Sequence, residues 1–276
     1  MPVIGPAKQT PPSYASGYAK SASESAHPEF WDGLVGAWAP GLGATGSTLR
    51  DVSGNKLHGE WTAGSPAYSY CEKTKRHAAD FSDTEIQTAS VERPFTFTFC
   101  CWVKIDYAAS DTFARIAEHG LNNSVTLCIN KNLAPNKFMF QRLGSSSEGA
   151  ASDTDISGDW QHVAMKYDGS KQYIYVDGYL ENTFIAGSVA ASSQIWHFGR
   201  NSAAPSLTRL NGSVADIRYF NSSISDAQIK SIYLNPLAPF RQRRSIPFGI
   251  TAAPSFNNWY ARPGRTNRIV GSGVHV

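Results

Sequence analysis

Apolar and polar residues alternate along the central part of the chain, most clearly in the segment FTFTFCCWVKI, residues 95–105. Successive side chains of a β-strand point to opposite faces. One face of a strand here would carry Phe95, Phe97, Phe99, Cys101, Val103 and Ile105. The other face would carry Thr96, Thr98, Cys100, Trp102 and Lys104. Large residues on both sides predict a central strand of a sandwich whose second face is partly covered.

The segment WQHVAMKYDGSKQYIYVDGYLENTF, residues 160–184, repeats this alternation around two Asp-Gly pairs. Asp-Gly supplies the positive φ that tight hairpin turns need, so we predict turns at Asp168-Gly169 and Asp177-Gly178. Other short strands are indicated by GLVGAWAP (33–40), SVTLCIN (124–130), KFMFQRL (137–143), SQIWHFGR (193–200) and GSVADIRYF (212–220). Short strands separated by turn residues predict an all-β fold, an antiparallel β-sandwich or jelly roll.

One short helix is predicted after the last strand, in SISDAQIKSIYLNP. Ser225 and Gln228 have the spacing of a capping box. Apolar residues follow at helical spacing, namely Ile229, Ile232 and Tyr233, and Asn235-Pro236 ends the helix. We expect this helix to cover an edge or the open end of the sandwich.

The termini differ from the domain at residues 28–236. Residues 1–27 are rich in Pro, Ser and Ala and predict an extended N-terminal arm. Residues 237–276 form a basic C-terminal arm whose charged side chains are Arg241, Arg243, Arg244, Arg262, Arg265 and Arg268. Because the whole chain carries only +3, the rest of it is slightly acidic. Such an arm suits an acidic partner surface, and a solvated tail is the alternative.

Charge, cysteine usage and hydropathy narrow the class of protein. A net charge of +3 gives no support for nucleic-acid binding, and no apolar run reaches the length of about 20 residues that a membrane span needs. No signal peptide is visible at the N-terminus. The cysteines are predicted to be buried and reduced: Cys71, Cys100, Cys101 and Cys128. We therefore expect synthesis in a cytoplasm, with neither nucleic acid nor membrane as a partner.

Five segments together resemble a laminin-G-like (concanavalin A-like) jelly-roll domain over residues 31–236. They are GLVGAWAP, LRDVSGNKLHGEW, FTFTFCCWVKI, WQHVAMKYDGSKQYIYVDG and LNGSVADIRYFNSSISDAQIKSIYLNP. The flanking segments SASESAHPEFWDG and YLNPLAPFRQRRSIPF resemble versions of this domain in tailed bacteriophages. The resemblance implies a virion structural protein, such as a capsid decoration protein or a fibre component.

This resemblance implies that the partners are the major capsid protein or other virion subunits, and that the protein is a homo-oligomer on the particle. The arms are then expected to bind those neighbours through aromatic and basic residues. The candidate contacts are Tyr14, Tyr18, Phe240, Arg241, Arg243, Arg244, Trp259 and Tyr260. His162, within the domain, is expected to be a hydrogen-bonded structural histidine, and Asp216 to fix a strand end or a turn.

Catalysis and cofactor binding have little support. GLGATG, residues 41–46, matches a dinucleotide-binding pattern, but the turn-rich STLRDVSGN that follows cannot begin the required helix. Sugar-cleaving enzymes with this jelly roll carry two carboxylates in an E-x-D-x-x-E run, which is absent. The acidic pairs in DTEI (83–86) and DTDI (153–156) are interpreted as solvated turn residues. We expect no enzyme activity and no cofactor.

Carbohydrate binding is the alternative function. A glycan usually stacks on an exposed aromatic side chain, and the candidates are Trp61, Trp196 and Tyr219. The competing interpretation is that these rings only pack inside the sandwich. Related domains often bind calcium through loop carboxylates, for which Asp51, Asp83 and Asp216 are candidates. No dense acidic run is present, and we expect no calcium.

Overall fold

The computed structural model describes residue 24 and residues 27–39, 46–120, 125–142, 149–185, 191–200 and 206–238. The helices are α1 (Pro28–Trp31) and α2 (Asp226–Leu234). The strands are β1 Leu34–Trp38, β2 Thr48–Leu49, β3 Gly59–Ala63, β4 Tyr68–Cys71, β5 Arg76–Ser82, β6 Glu85–Thr88, β7 Val91–Arg93, β8 Phe97–Ile105, β9 Arg115–His119, β10 Val125–Ile129, β11 Lys137–Arg142, β12 Gly149–Asp155, β13 Gln161–Tyr167, β14 Lys171–Val176, β15 Tyr179–Ile185, β16 Ser192–Gln194, β17 Trp196–Phe198 and β18 Asn211–Phe220.

The strands form two large antiparallel sheets and one small pair. Sheet A has the order β15-β14-β13-β8-β18-β5-β4, with β1 also paired to β18. Sheet B has the order β12-β11-β10-β9-β17-β6-β3-β2, and β16 pairs with β7. Most neighbours are far apart in sequence, as in a jelly roll. The predicted all-β antiparallel sandwich is confirmed.

The alternation in β8 divides its side chains between two apolar layers. Phe97 and Phe99 are fully buried in the core between the sheets, whereas Cys100 belongs to a second cluster on the outer face of sheet A. The four cysteines are free and buried, as predicted. Phe95 is an exception: it precedes β8 and is 64% exposed, so its expected core position is wrong.

Both predicted Asp-Gly turns are present. β13 and β14 are joined through Gly169 at φ +101°, and β14 and β15 through Asp177 and Gly178 at φ 49° and 79°. Asp177 Oδ1 also accepts a hydrogen bond from the His162 backbone N–H at 2.9 Å. Asp177 therefore stabilises this turn twice, through its positive φ and through the hydrogen bond that its side chain accepts.

Asp216 forms a β-bulge in the middle of β18. Its φ is 49°, and the pairing between β18 and β8 shifts register between Ala215 and Arg218. Before this point β18 pairs with β5, and after it with β1. Arg218 Nη2 donates to Asp216 Oδ2 and to the Pro236 carbonyl oxygen, both at 2.7 Å. The Asp216 side chain therefore fixes an irregularity inside a strand.

The capping box of α2 is confirmed, and the helix covers more of the sandwich than the expected edge. Ile229 and Ile232 pack with Phe30 and Trp31 of α1. On the sheet they contact a set of outward-facing residues that includes Cys100, Ala164 and Tyr175. α2 therefore covers the outer face of sheet A from these middle strands to the edge strand β15.

His162 is a structural residue of this helix-covered layer, but it is not hydrogen-bonded through its ring. Its imidazole is 1% exposed and packs edge-on against Trp102, with ring centroids 5.5 Å apart. Neither ring nitrogen has a hydrogen-bond partner. Burial, together with the nearby charge of Arg218, lowers the pKa of His162 to about 3.

Within the described residues, no helix is long and apolar enough to cross a membrane.

Candidate functional site

A continuous row of polar side chains crosses the outer face of sheet B. In the strand register, each residue of this row is paired directly with the next one on the neighbouring strand. Directly paired residues of neighbouring strands have their side chains on the same face of a sheet. The row, called the polar row below, consists of Gln141, Thr126, Glu118, His197, Gln87, Glu60 and Thr48. Neighbours in sequence such as Trp196 and Phe198 point the other way, into the core. Alternation of polar and apolar residues in each strand builds this face.

Two pairs of buried polar residues form the centre of this face. Arg115 Nε donates to Glu118 Oε2 at 2.9 Å, and the two side chains are 8% and 0% exposed. His197 Nδ1 lies 2.6 Å from Glu85 Oε1, and these side chains are 2% and 1% exposed. A carboxylate only accepts hydrogen bonds, so Nδ1 carries the proton. Buried ionic groups seldom stabilise a fold more than apolar residues would, which suggests a functional reason for this face.

Three nitrogen atoms around this centre are buried without a hydrogen-bond partner. They are Arg115 Nη1, His197 Nε2 and Arg200 Nε. Arg200 Nε is 3.9 Å from Glu85 Oε2, too far for a hydrogen bond. Most buried polar atoms in proteins have a protein or water partner. The three nitrogens lie around these two neighbouring pairs, and a water molecule or a polar ligand could satisfy them.

Exposure increases along the polar row. Thr126, Glu118 and His197 are buried, whereas Gln87 and Thr48 are half-buried and Glu60 is exposed. Beside Glu85, the Arg200 side chain is 16% exposed and its Nη1 lies 2.6 Å from Asp83 Oδ1. We call Thr48, Glu60 and Gln87, together with the adjacent Arg200 outside the row, the open end of the polar row. They offer a hydroxyl, a carboxylate, an amide and a guanidinium to solvent.

The interpretation of DTEI as solvated turn residues is wrong for Glu85. This residue is the first of β6, and it accepts hydrogen bonds from His197 and, at 3.1 Å, from Gln87 Nε2. Asp83 is exposed and has a φ of 71°, which agrees with a turn. The carboxylates of DTDI, Asp153 and Asp155, are exposed as expected, but they lie in strand β12 and not in a turn.

Glu85 and Glu118 lie on strands that flank β17, on the same face. Strands two positions apart are separated by about 10 Å, which is near the separation of the two carboxylates in glycosidases. Catalytic carboxylates must touch the glycosidic oxygen or a water molecule beside it. Because both side chains are at most 1% exposed and already hydrogen-bonded, their burial argues against that role.

Two of the three predicted aromatic platforms are wrong. Trp196 and Tyr219 are fully buried in the core, where Trp196 packs on Phe99 with centroids 4.8 Å apart and meets Tyr219 edge-on at 5.2 Å. A buried ring offers no face to a sugar. Trp61 is half-buried against Phe81 and Tyr68 at the side of the sandwich and retains some accessible surface.

The three candidate calcium ligands lie in separate places. Asp51 accepts backbone hydrogen bonds from Ala37 and Leu57, at 2.9 and 3.0 Å. Asp83 pairs with Arg200, and Asp216 with Arg218. Throughout the part of the chain that the structure describes, no group of three or more His, Cys, Asp or Glu side chains has an arrangement that fits a metal ion.

A second open feature, a groove of about 490 Å³, lies at one end of sheet A. Lys104, Asp106 and Ser157 line it, together with Tyr107. The Tyr107 hydroxyl oxygen accepts a hydrogen bond from the Asn136 backbone N–H at 2.9 Å, so this ring is held in the structure. None of the side chains that line this groove has a buried polar atom without a hydrogen-bond partner. The groove is therefore used below as a control surface for the polar row.

The predicted arm contacts lie outside the described residues. They are Tyr14, Tyr18, Phe240, Arg241, Arg243, Arg244, Trp259 and Tyr260. The same holds for residues 41–45 of the GLGATG segment.

Comparison with known families agrees with this architecture. The model of the Laminin_G_3 family, described as the concanavalin A-like lectin/glucanases superfamily, matches residues 79–230. The match includes β8, the β13–β15 hairpins and β18. The chain belongs to this family. A search of the curated proteins found no match.

Solved structures with the same fold are distant in sequence. Domain 4 of a GH43 extracellular arabinanase from Geobacillus stearothermophilus, in complex with arabinotriose, has a TM-score of 0.62 and 17% identity, over 72% of this chain and 98% of that domain. The binding domain of botulinum neurotoxin DC, in complex with SialylT, gives 0.55 and 16%, over 75% and 52%. Trypanosoma rangeli sialidase gives 0.53 and 18%, over 74% of this chain but 33% of its own. These likenesses establish the fold.

Proposed function

We propose that this protein is a non-enzymatic carbohydrate-binding module and that the glycan binds at the open end of the polar row. The observation that carries the proposal is the two neighbouring buried pairs, Arg115–Glu118 and His197–Glu85, which leave unsatisfied nitrogens next to accessible polar groups. Sugar hydroxyls both donate and accept hydrogen bonds. A face that presents amide, carboxylate and guanidinium groups side by side matches that chemistry.

The buried part of the network would hold the accessible part in place. Gln87 Nε2 donates to Glu85, and Thr48 Oγ1 donates to Glu60 Oε1 at 3.0 Å. Side chains fixed in this way lose little conformational entropy when a ligand binds. The binding surface is therefore preorganised by residues that do not themselves touch the glycan.

Known relatives of the fold support this choice of ligand class. The arabinanase domain was solved with arabinotriose and the toxin binding domain with SialylT, both of which are carbohydrates. The absence of catalysis is supported by the burial of Glu85 and Glu118 described above. We expect no release of reducing ends from arabinan, sialyllactose or β-glucan.

A glycan array probed with the full chain tests the proposal, followed by calorimetry on any glycan that binds. Gln87→Ala and Glu60→Ala are each expected to weaken binding by about tenfold, the loss of one or two hydrogen bonds. Gln194→Ala is the matched control, because Gln194 is exposed on β16. Absence of any bound glycan, or equal losses in all three variants, would contradict the proposal.

We further propose that this module is a structural part of a bacteriophage virion, as a capsid decoration or fibre protein. The observation in its favour is that residues 237–276 carry six arginines and no acidic residue. Arg241, Arg243 and Arg244 are suited to bidentate pairing with carboxylates on a capsid protein or another virion subunit. Deleting residues 237–276 should leave a folded domain that no longer copurifies with particles. Full occupancy of particles by the truncated protein would contradict this role.

A further inference from the structure

Charged groups at the open end of the polar row restrict the kind of sugar that suits it. Glu60 is exposed on β3, and Asp83 is exposed just before β6. Glu85 is buried on β6, where it accepts a hydrogen bond from Gln87 of the open end. Three carboxylates therefore lie at or beside this surface.

Two guanidinium groups of this region are paired with acids. Arg200 Nη1 lies 2.6 Å from Asp83 Oδ1, and Arg200 Nε lies 3.9 Å from Glu85 Oε2. Arg115 Nε donates to Glu118 at 2.9 Å. A carboxylate on a sugar would have to compete with these acids for the same positive charges. The unsatisfied atoms Arg115 Nη1 and Arg200 Nε need an acceptor, and a sugar hydroxyl supplies one without adding a charge.

Glu60 is suited to bind the hydroxyl groups of a sugar. Its Oε1 and Oε2 accept hydrogen bonds from Thr48 Oγ1 at 3.0 and 3.2 Å, which orients the carboxylate. An ionised carboxylate accepts hydrogen bonds and donates none. The acceptor positions that Thr48 leaves open therefore match hydroxyl groups that donate, whereas a sugar carboxylate or sulfate would be repelled.

We infer that the open end of the polar row binds uncharged glycans and excludes glycans that carry a carboxylate or sulfate, with Glu60 as the residue that sets this preference. This inference rests on the proposed function. Arg50 is exposed two residues after Thr48, so its charge acts near the same surface in the opposite direction. The experiment therefore varies both Glu60 and Arg50.

Calorimetry on the full chain compares matched neutral and acidic glycans: lactose with sialyllactose, and galactotriose with the trimer of galacturonic acid. In each pair that binds, we expect the neutral member to bind about tenfold more tightly or better at low salt. Because salt screens repulsion between exposed charges, this preference should fall below about threefold in about 0.5 M NaCl. The carboxamide of sialyllactose, which keeps the size of the acid but not its charge, should bind about fivefold more tightly than the acid.

Glu60→Gln removes the charge and keeps the size and one acceptor oxygen. It should leave the affinity for the neutral glycan within about threefold and reduce the preference over the acidic glycan to less than about threefold. Asp153→Asn is the matched control, because Asp153 is exposed on β12, at the other edge of sheet B, and its removal should leave the preference unchanged. Arg50→Gln should leave the preference unchanged or increase it.

Equal or tighter binding of the acidic glycan at low salt would overturn the inference and leave the proposed function standing. A preference for the neutral glycan that Glu60→Gln leaves intact, or that Asp153→Asn reduces equally, would also overturn it. If the acidic glycan binds and Arg50→Gln abolishes that binding, Arg50 and not Glu60 sets the preference. Absence of binding to every glycan of the array would instead count against the proposed function.

Discussion

Removal of the His197 side chain should destabilise the domain strongly, although His197 lies on the outer face of a sheet. Its Nδ1–Oε1 hydrogen bond to Glu85 is 2.6 Å long, and both side chains are at most 2% exposed. Loss of a hydrogen bond to a buried carboxylate costs about 1.5–3 kcal/mol. The space left by the imidazole adds about 1–2 kcal/mol. We therefore expect His197→Ala to lower the free energy of unfolding by about 2.5–5 kcal/mol.

Urea unfolding followed by tryptophan fluorescence measures this change. In a domain of this size the same loss corresponds to a decrease in Tm of about 10 °C. His77→Ala is the matched control, because His77 is exposed on β5 and its removal should change stability by less than about 0.5 kcal/mol.

Glu85→Gln removes the charge from the hydrogen bond to His197 but leaves the shape of the side chain nearly unchanged. Glutamine keeps the volume and an acceptor oxygen, so the expected loss is about 1 kcal/mol, well below that of His197→Ala. A loss below about 1 kcal/mol for His197→Ala, or a loss matched by His77→Ala, would refute the view that the polar row rests on this bond.

Three other variants test separate parts of the fold. Gly212 has a φ of 154°, and an added Cβ would clash with the Lys104 carbonyl oxygen. Gly212→Ala should therefore lower the free energy of unfolding in urea by more than about 2 kcal/mol. An unchanged urea midpoint would contradict this. Ser225→Ala removes the N-cap of α2 and should cost about 1 kcal/mol by the same assay, whereas no loss would mean that packing alone holds the helix. Despite partial burial, hydrogen bonds from Tyr173 and nearby backbone N–H groups lower the pKa of Asp168 to about 2. The stability gained from this lowered pKa is present above pH 4 and lost as pH falls towards 2, so Asp168→Asn should weaken the pH dependence of Tm in that range; identical profiles would count against it.

Local patterns were sufficient to predict most of the fold. The alternation in β8, the two Asp-Gly turns and the Ser225/Gln228 capping box each depend on residues close together in sequence. The location of α2 was not predictable in this way. Its apolar residues fit any apolar surface, and the surface it covers is assembled from β8, β13 and β14.

Most of the candidate site could not be predicted from the sequence. Glu85, Glu118 and His197 come from three strands far apart in the chain, and only the order β9-β17-β6 brings them together. In the sequence, a single acidic residue in a short strand cannot be distinguished from an acidic residue in a turn. This explains the wrong prediction for Glu85. Polar residues alternating with core residues in β9 and β17 were the available signal. Trp196 and Tyr219 were misassigned because aromatic content does not reveal which face of a strand is covered.

Hydrogen–deuterium exchange of the full chain, with and without a glycan that it binds, tests most directly whether the open end of the polar row is the binding surface. The account predicts that bound glycan slows exchange in peptides covering β2, β3 and β6 and leaves the groove at Lys104 and Ser157 unchanged. Slower exchange at that groove, or at α2, with no change in β2, β3 and β6, would contradict it.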